Sequence, residues 1–328
     1  MSDQVEQAMN RYDVVVIGGG AAGLSGALML ARARRSVLVI DAGEPRNAPA
    51  AGVHGFLSRD GVAPAELTEV GRDEVLRYGG QVIRGEVARI DRDADGFTSA
   101  LADGRTVHAR RLLVATGLVD ELPDLPGLRE RWGRDVLHCP YCHGWEVNDQ
   151  AVGVLSTGPM GVHQALMFRQ WSDDVTLFQH TGPEPTEAER EQFAARNITV
   201  VTGAVDSLVT DGDRLAGVRL IDGTVVSRQA LVVAPRFVPR IAAIASLGIE
   251  TATDPLTGAQ FIPADPSGQT AVPGVWVAGN VADFKAQVLG AAAAAAACAI
   301  AINNDLITED TNRAVAEYRS RESKGVNA

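Results

Sequence analysis

Cys139-Pro140-Tyr141-Cys142 places two thiols two residues apart. At that spacing they can close into a disulfide and reopen, carrying two electrons each time. His143 follows directly. Its imidazole titrates near neutrality and is suited to take the proton when a dithiol is oxidised. A second chemical element opens the chain, Val14-Val15-Val16-Ile17-Gly18-Gly19-Gly20-Ala21-Ala22-Gly23. The glycine spacing there fits a pyrophosphate: Gly18 for the tight turn, Gly20 for close approach of the phosphate, and Gly23 for helix–strand packing, with Ala22 beside it. One motif is a redox-active sulfur pair, and the other is a place to hold a cofactor that exchanges electrons with it.

Other chemistries share the Cys139 to His143 pattern. C-x-x-C-H attaches c-type haem, which requires export. Half a zinc site would need two further ligands, and Cys298 lies in an alanine-rich helix without a partner nearby. A passive structural disulfide is out of place in a reducing compartment. Cys298 itself reads as a small buried core residue.

The elements that must position these groups are legible in the hydrophobic pattern. Tyr12 to Ile17 reads as a buried parallel strand, followed by the glycine loop, a helix to about Arg34, and a strand Ser36 to Ile40 ending at Asp41. This is a βαβ unit, and Asp41, eighteen residues beyond Gly23, is placed to hold ribose hydroxyls. A surface helix is expected over Ala63 to Tyr78, short strands over Gln81 to Leu101, and a buried strand over Arg111 to Ala115 that closes on Thr116-Gly117. A second βαβ unit begins at Val152, with its loop over Ser156 to Gly161, a helix to about Trp171 and a strand over Val175 to Phe178. Strands return at Ile198 to Val201 and Leu231 to Val233. The last third carries Gly274 to Asn280 and an alanine-rich helix, and it lacks a βαβ partner of its own. It is therefore expected to fold back onto the first unit. The fold class is α/β: two Rossmann-like, three-layer dinucleotide-binding domains, the second inserted in the first. The FAD-binding domain would take residues 1–119 and 241–328, and a nicotinamide-domain-like unit carrying the CxxC would take 120–240.

The fingerprint alone does not separate FAD from NAD. Val114-Ala115-Thr116-Gly117 and Ala278-Gly279-Asn280-Val281-Ala282-Asp283 resemble segments of flavoproteins with two dinucleotide domains. That resemblance implies FAD, with Ala115, Thr116, Gly117, Gly279, Asn280 and Asp283 near it. Such flavoproteins usually carry Asp where this chain has Asn280. The helix beginning near Ala286-Gln287-Val288 would aim its positive end at the flavin.

Over nearly its whole length the chain resembles the low-molecular-weight thioredoxin reductases, through the first fingerprint, Ala-Thr-Gly, the CxxC and the C-terminal Gly-Asn-x-x-Asp. The resemblance implies that Cys142 faces the flavin and Cys139 exchanges with substrate, in a homodimer. Thioredoxin reductases carry Asp after the second Cys, where this chain has His143. Its second glycine loop is also degraded, with Ser156 in place of the first Gly and Pro159 between Gly158 and Gly161. No Arg follows the next strand until Arg190, while Glu184, Glu187 and Glu189 do. A clamp for the 2′-phosphate of NADPH needs guanidinium groups there, so NADPH use is doubtful.

Cys-Pro-x-Cys-His-Gly-x-Glu, through Trp145 and Glu146, is similar to the dithiol oxidases of gliotoxin- and holomycin-type metabolites. The reading this favours is oxidation of a small-molecule dithiol, with O2 as acceptor and H2O2 formed. Tyr141 and Trp145 would suit an apolar substrate or serve as ordinary packing. NADPH-dependent reduction of a thioredoxin-like protein or small disulfide is the alternative, and a redox sensor without turnover is the third.

Size and charge limit the remaining classes. A chain of 328 residues is comfortable for two domains. A net charge of −11 argues against nucleic acid and anionic membranes as partners. No apolar run is expected to approach a membrane span. The polar first residues do not read as a signal peptide, so a cytoplasmic location is expected.

Overall fold

The computed structural model describes residues 11–325 and, at its C-terminal end, side chains through Ser323. The N-terminal residues 1–10, on which the signal-peptide reading rests, lie outside the described residues.

The opening βαβ unit forms because an apolar, β-branched run meets a glycine loop. β1 (Arg11–Ile17) buries Val14, Val15 and Val16 completely, as a strand covered on both faces must. α1 (Ala21–Arg32) and β2 (Val37–Asp41) follow, and β1 pairs with β2 in parallel. α1 ends at Arg32, two residues before the expected Arg34. α2 (Pro64–Arg77) starts with Pro at its first position, where a missing N–H costs nothing. Then come β3 (Gln81–Arg84), β4 (Val87–Asp93), β5 (Gly96–Leu101) and β6 (Thr106–Val114). β6 begins five residues before the expected Arg111, because its first half pairs antiparallel with β5 while its second half runs parallel to β1. The sheet order is β3-β2-β1-β6-β5-β4.

The chain leaves this sheet through β7 (Leu118–Glu121) and builds a second one. β8 (Val136–Leu137) leads into a one-turn helix, α3 (Pro140–His143). β9 (Val152–Leu155), α4 (Gly161–Phe168), β10 (Val175–Phe178), α5 (Glu187–Ala195) and β11 (Ile198–Val201) follow. α4 stops at Phe168 and not at about Trp171. β12 (Val205–Asp211), β13 (Arg214–Leu220) and β14 (Val225–Ser227) make an antiparallel meander before β15 (Ala230–Val233). The second sheet, β11-β10-β9-β15-β8, is wholly parallel. β16 (Arg236–Pro239) then pairs antiparallel with β7, so the two connecting segments lie side by side.

After the short hairpin β17 (Ala252–Thr253) and β18 (Gln260–Phe261), β19 (Val275–Val277) returns to the first sheet, parallel to β6. The final third thus folds back onto the first unit, as its missing βαβ partner required. α6 (Val288–Gly325) packs its Ala291, Ala295, Cys298, Ile302 and Leu306 face over α1 and the sheet. By length and composition this helix is apolar enough to cross a membrane, which corrects the expectation that no run approaches a span. Here its apolar stripe is part of the core. Arg111 Nε donates to Asp305 Oδ2 at 2.5 Å and Arg110 Nη2 to Asp310 Oδ1 at 2.6 Å, fastening α6 to β6.

Candidate active site

Each sheet has a switch point where neighbouring connections diverge, and in such folds ligands bind beyond the strand ends there. In the first sheet that point lies between β1 and β6. A cavity of about 1130 Å³ opens above it and runs on to the sulfur pair of the second domain. This is more than the roughly 300–1,000 Å³ of ordinary small-molecule sites.

The backbone of the glycine loop is pressed against its neighbours. Gly18 has φ +103°, and a Cβ there would lie 2.4 Å from Ala115 O. A Cβ on Gly23 would lie 1.8 Å from Gly18 O, so only glycine lets α1 start this close to the strand. Gly20 differs, because a Cβ would meet nothing within 4 Å and would enter the open cavity. This cradle of bare backbone beside the start of a twelve-residue helix fits a dinucleotide pyrophosphate. Ala22 is buried beneath the loop, where a Cβ on Gly279 (φ +76°) would come within 2.9 Å of its methyl.

Asp41 lines the cavity, but much of its carboxylate is engaged. Oδ1 accepts N–H groups from Gly19 (3.1 Å) and Gly43 (3.2 Å), and Oδ2 accepts Arg72 Nη2 at 2.9 Å. Of about four lone-pair sites three are taken, which leaves one for a ribose hydroxyl. Ala115 and Gly117 line the opposite wall. Thr116 Oγ1 donates to Arg240 O at 2.7 Å and locks the point where the chain leaves and re-enters the first domain.

The C-terminal segment is held by its own side chains. Asn280 Nδ2 donates to Asp283 O (3.0 Å) and Ala286 O (2.9 Å), while its Oδ1 accepts Arg46 Nη1 at 3.1 Å. The amide folds the turn that leads into α6. Asp283 stands apart from the cavity, its carboxylate accepting the Lys285 N–H at 3.0 Å. Ala286, Gln287 and Val288 do line the cavity at the start of α6.

The sulfur pair sits on α3, with Cys139 as its N-cap and Pro140 at its first position. Both cysteines are half-buried, and their side chains are free. Cys139 is held down to about 6, chiefly by the hydrogen bond it accepts from the Cys142 thiol, with help from the N–H groups of Cys142 and Tyr141 and from Gln287. Cys142 is pushed far up by the same pairing and by burial. In the dithiol form the pairing favours the proton on Cys142 and the thiolate on Cys139. His143 is lowered by burial, opposed by Glu146 and assisted by His54. His138 turns its Nδ1 inward to Val233 O at 3.1 Å and stands edge-on to Phe237, its ring centroid 5.2 Å away. Tyr141 and Trp145 are largely exposed, and Tyr141 rests edge-on against Trp171.

Sequence reasoning missed two residues of this site. Arg46 grips Asp120 with Nε (2.8 Å) and Nη2 (2.7 Å), lies over Phe237, and places its positive charge near Cys142. His54 reaches Glu146, with Nε2 3.3 Å from Oε1. Both come from the loop after β2, about ninety positions from the cysteines, and no local motif marks them.

In the second domain's loop, Ser156 is packed inward against the neighbouring glycines. Ser156 is almost fully buried, and a Cβ on Gly161 or Gly182 would come within 2.3 or 2.0 Å of its hydroxyl. Gly182 N–H donates to Ser156 O at 2.8 Å, drawing the segment after β10 onto the loop. Arg190 pairs with Glu184 at 3.0 Å, and Glu189 forms a capping box with Thr186. The acids read as hostile to a phosphate thus partly serve to start α5.

Comparison with known proteins agrees with this architecture. The chain is 30% identical over 282 residues to thioredoxin reductase aclD of Aspergillus oryzae, covering 82% of this chain and 88% of that protein. It is 38% identical over 180 residues to thioredoxin reductase tcpT of Claviceps purpurea, a match spanning 52% of this chain and 56% of that protein. Among solved structures it is similar to HlmI, with a TM-score of 0.88 and 51% identity over 93% of this chain and 95% of that one. It is likewise similar to an oxidoreductase from Agrobacterium tumefaciens, with a TM-score of 0.86 and 36% identity over 91% and 99% of the two chains. A profile described as pyridine nucleotide-disulphide oxidoreductase matches residues 12–301. The chain belongs to the pyridine nucleotide-disulphide oxidoreductase family, as a thioredoxin reductase-like, FAD-binding disulfide oxidoreductase.

Proposed function

We propose that this flavoprotein oxidises a small-molecule dithiol to a disulfide through Cys139 and Cys142, with O2 as the final acceptor. The observation that carries this reading is the second domain's loop. Ser156 packs beneath Gly161 and Gly182, and Arg190, the first Arg after β10, is already paired with Glu184. A nicotinamide dinucleotide would meet a loop that lacks its first glycine and no guanidinium after β10 before the paired Arg190, which favours entry of electrons from the dithiol side.

When bound, FAD supplies a two-electron acceptor able to pass electrons to O2. Gly18, Gly20 and Gly23 would receive its pyrophosphate, with Asp41 at the ribose and the start of α6 near the ring. The chain's own residues manage the sulfur chemistry. One substrate thiol loses its proton to His143 and attacks Cys139 Sγ of the oxidised pair. The Cys139–Cys142 bond breaks and Cys142 leaves as thiolate. Cys142 takes the first proton from His143, so the second substrate thiol can lose its proton to the freed imidazole and attack the mixed disulfide at the substrate sulfur, releasing Cys139 as thiolate. The substrate disulfide departs and the enzyme holds two more electrons, as a dithiol. Overall, one dithiol and one O2 give one disulfide and one H2O2.

Anaerobic stopped-flow mixing tests the direction of flow. NADPH and NADH should bleach the flavin slowly or not at all, while a small aromatic dithiol bleaches it readily. Reduction by NADPH at a turnover rate of about 10 per second would restore the reductase reading.

A further inference from the structure

His54 stands in a loop of the first domain that is closed on itself. Val53 N–H donates to Val62 O and Gly61 N–H to Val53 O, each at 2.8 Å. Inside the loop Asp60 Oδ1 accepts the Gly55 N–H at 2.8 Å and lies 3.5 Å from His54 Nδ1. The opposite ring nitrogen faces the second domain, 3.3 Å from Glu146 Oε1. Glu146 lies three residues beyond His143, on the turn Trp145–Val147 that continues α3. Among the described residues, His54 is the basic group at the Glu146 carboxylate. His54, His143 and both cysteines line one cavity.

We propose that His54 is a positioning residue for the thiol chemistry: by pairing with Glu146 across the domain boundary, it offsets that carboxylate at His143 and keeps His143 a proton acceptor. The proposal rests on the dithiol reading above and adds a residue from the other domain to it. Each substrate thiol gives up a proton as it attacks, and an imidazole that already holds one cannot receive it. The charged groups around His143 come from three elements. Cys139 and Cys142 share its own turn, with Arg46 of the first domain on the Cys142 side. Glu146 lies on the next turn. His54, backed by Asp60, reaches in from the closed loop. Of these, Glu146 favours the protonated ring and His54 opposes it. Burial of His143 favours the neutral ring as well.

The imidazole titration of His143, followed by NMR in the FAD-loaded protein, tests the coupling in the wild type, His54→Gln, Glu146→Gln and the double variant. His54→Gln removes the group opposing Glu146, so the His143 midpoint should rise. Glu146→Gln should lower it, and the double variant should return toward the wild type. Each single shift is expected to be a few tenths to about one pH unit, as for a partly screened charge nearby. The acid limb of dithiol oxidation should move the same way in each variant. Opposite shifts in a protein that oxidises no dithiol support the coupling and overturn the dithiol reading. Midpoints that stay put, or move together, in a protein that does oxidise dithiols overturn the coupling and leave the dithiol reading standing.

Discussion

Gln287 Nε2 stands 3.9 Å from Cys142 Sγ and 4.0 Å from Cys139 Sγ. Gln287 directly precedes α6 of the first domain, and the sulfurs ride on α3 of the second, so the two domains meet at the reacting atoms. An amide N–H at that distance is a weak donor to sulfur, but it is aimed at both members of the pair. It acts in the direction that favours a thiolate.

Removing this donor should make the Cys139 thiolate harder to form. In the reduced protein, Gln287→Leu should move the pH dependence of iodoacetamide alkylation upward by a few tenths of a pH unit, and Gln287→Glu should move it further, because a carboxylate repels the thiolate. An unchanged profile in both variants would make the contact incidental.

Cys139 should be alkylated well below the pH at which an ordinary thiol reacts. Its folded value is lowered to about 6, against an unperturbed value near 8.5. The thiolate is therefore present above about pH 6 and lost below it. Peptide mapping should find label on Cys139 before Cys142. Cys142→Ala deletes the main donor and should shift the Cys139 profile up toward the unperturbed value. Label appearing first on Cys142 would reverse the assignment of the two sulfurs.

Gly20 separates folding from cofactor binding. Its φ of −79° and ψ of −173° suit any residue, and a side chain there projects into open space. Gly20→Val should fold with stability within about 1 kcal/mol of the wild type, as surface changes usually do. The same side chain should obstruct the pyrophosphate, so the purified protein should be nearly colourless. Yellow protein with full FAD content would show that the dinucleotide lies elsewhere.

Restoring the aspartate usual in related flavoproteins should weaken this chain. Asn280→Asp replaces two N–H donations, to Asp283 O and Ala286 O, by carboxylate oxygens facing carbonyls. The half-buried Ala286 O and the exposed Asp283 O lose this donor, at a cost of about 1 kcal/mol. A new ion pair with Arg46 recovers part of that. Thermal unfolding should show a lower midpoint. A higher one would mean that the Arg46 pairing outweighs the lost turn.

The sequence by itself determined the groups whose chemistry is local. A thiol pair two residues apart needs only its own turn to form a disulfide, and a glycine loop between a buried strand and a helix needs only its βαβ unit. Gly18, Gly20, Gly23, Cys139, Cys142 and His143 could therefore be singled out as candidates from spacing, and strand periodicity located β1, β2, β9 and β10 to within a residue. The missing βαβ partner after Arg240 likewise pointed back to the first unit, and the structure places β19 there beside β6. The tertiary structure decided everything that depends on which loops converge. Arg46 and His54 sit on a loop with no periodicity of its own. They become site residues only because the β7–β16 connection brings the second domain down onto that loop. Asp283 and Asn280 could not be told apart in a motif, since a hydrogen bond to a neighbouring carbonyl and one to a cofactor use the same side chain. Ser156 read as a lost glycine, but that its hydroxyl fills the space beneath Gly161 and Gly182 follows from packing between β9 and β10. Spacing along the chain fixes which groups exist, and long-range packing fixes which of them face one another.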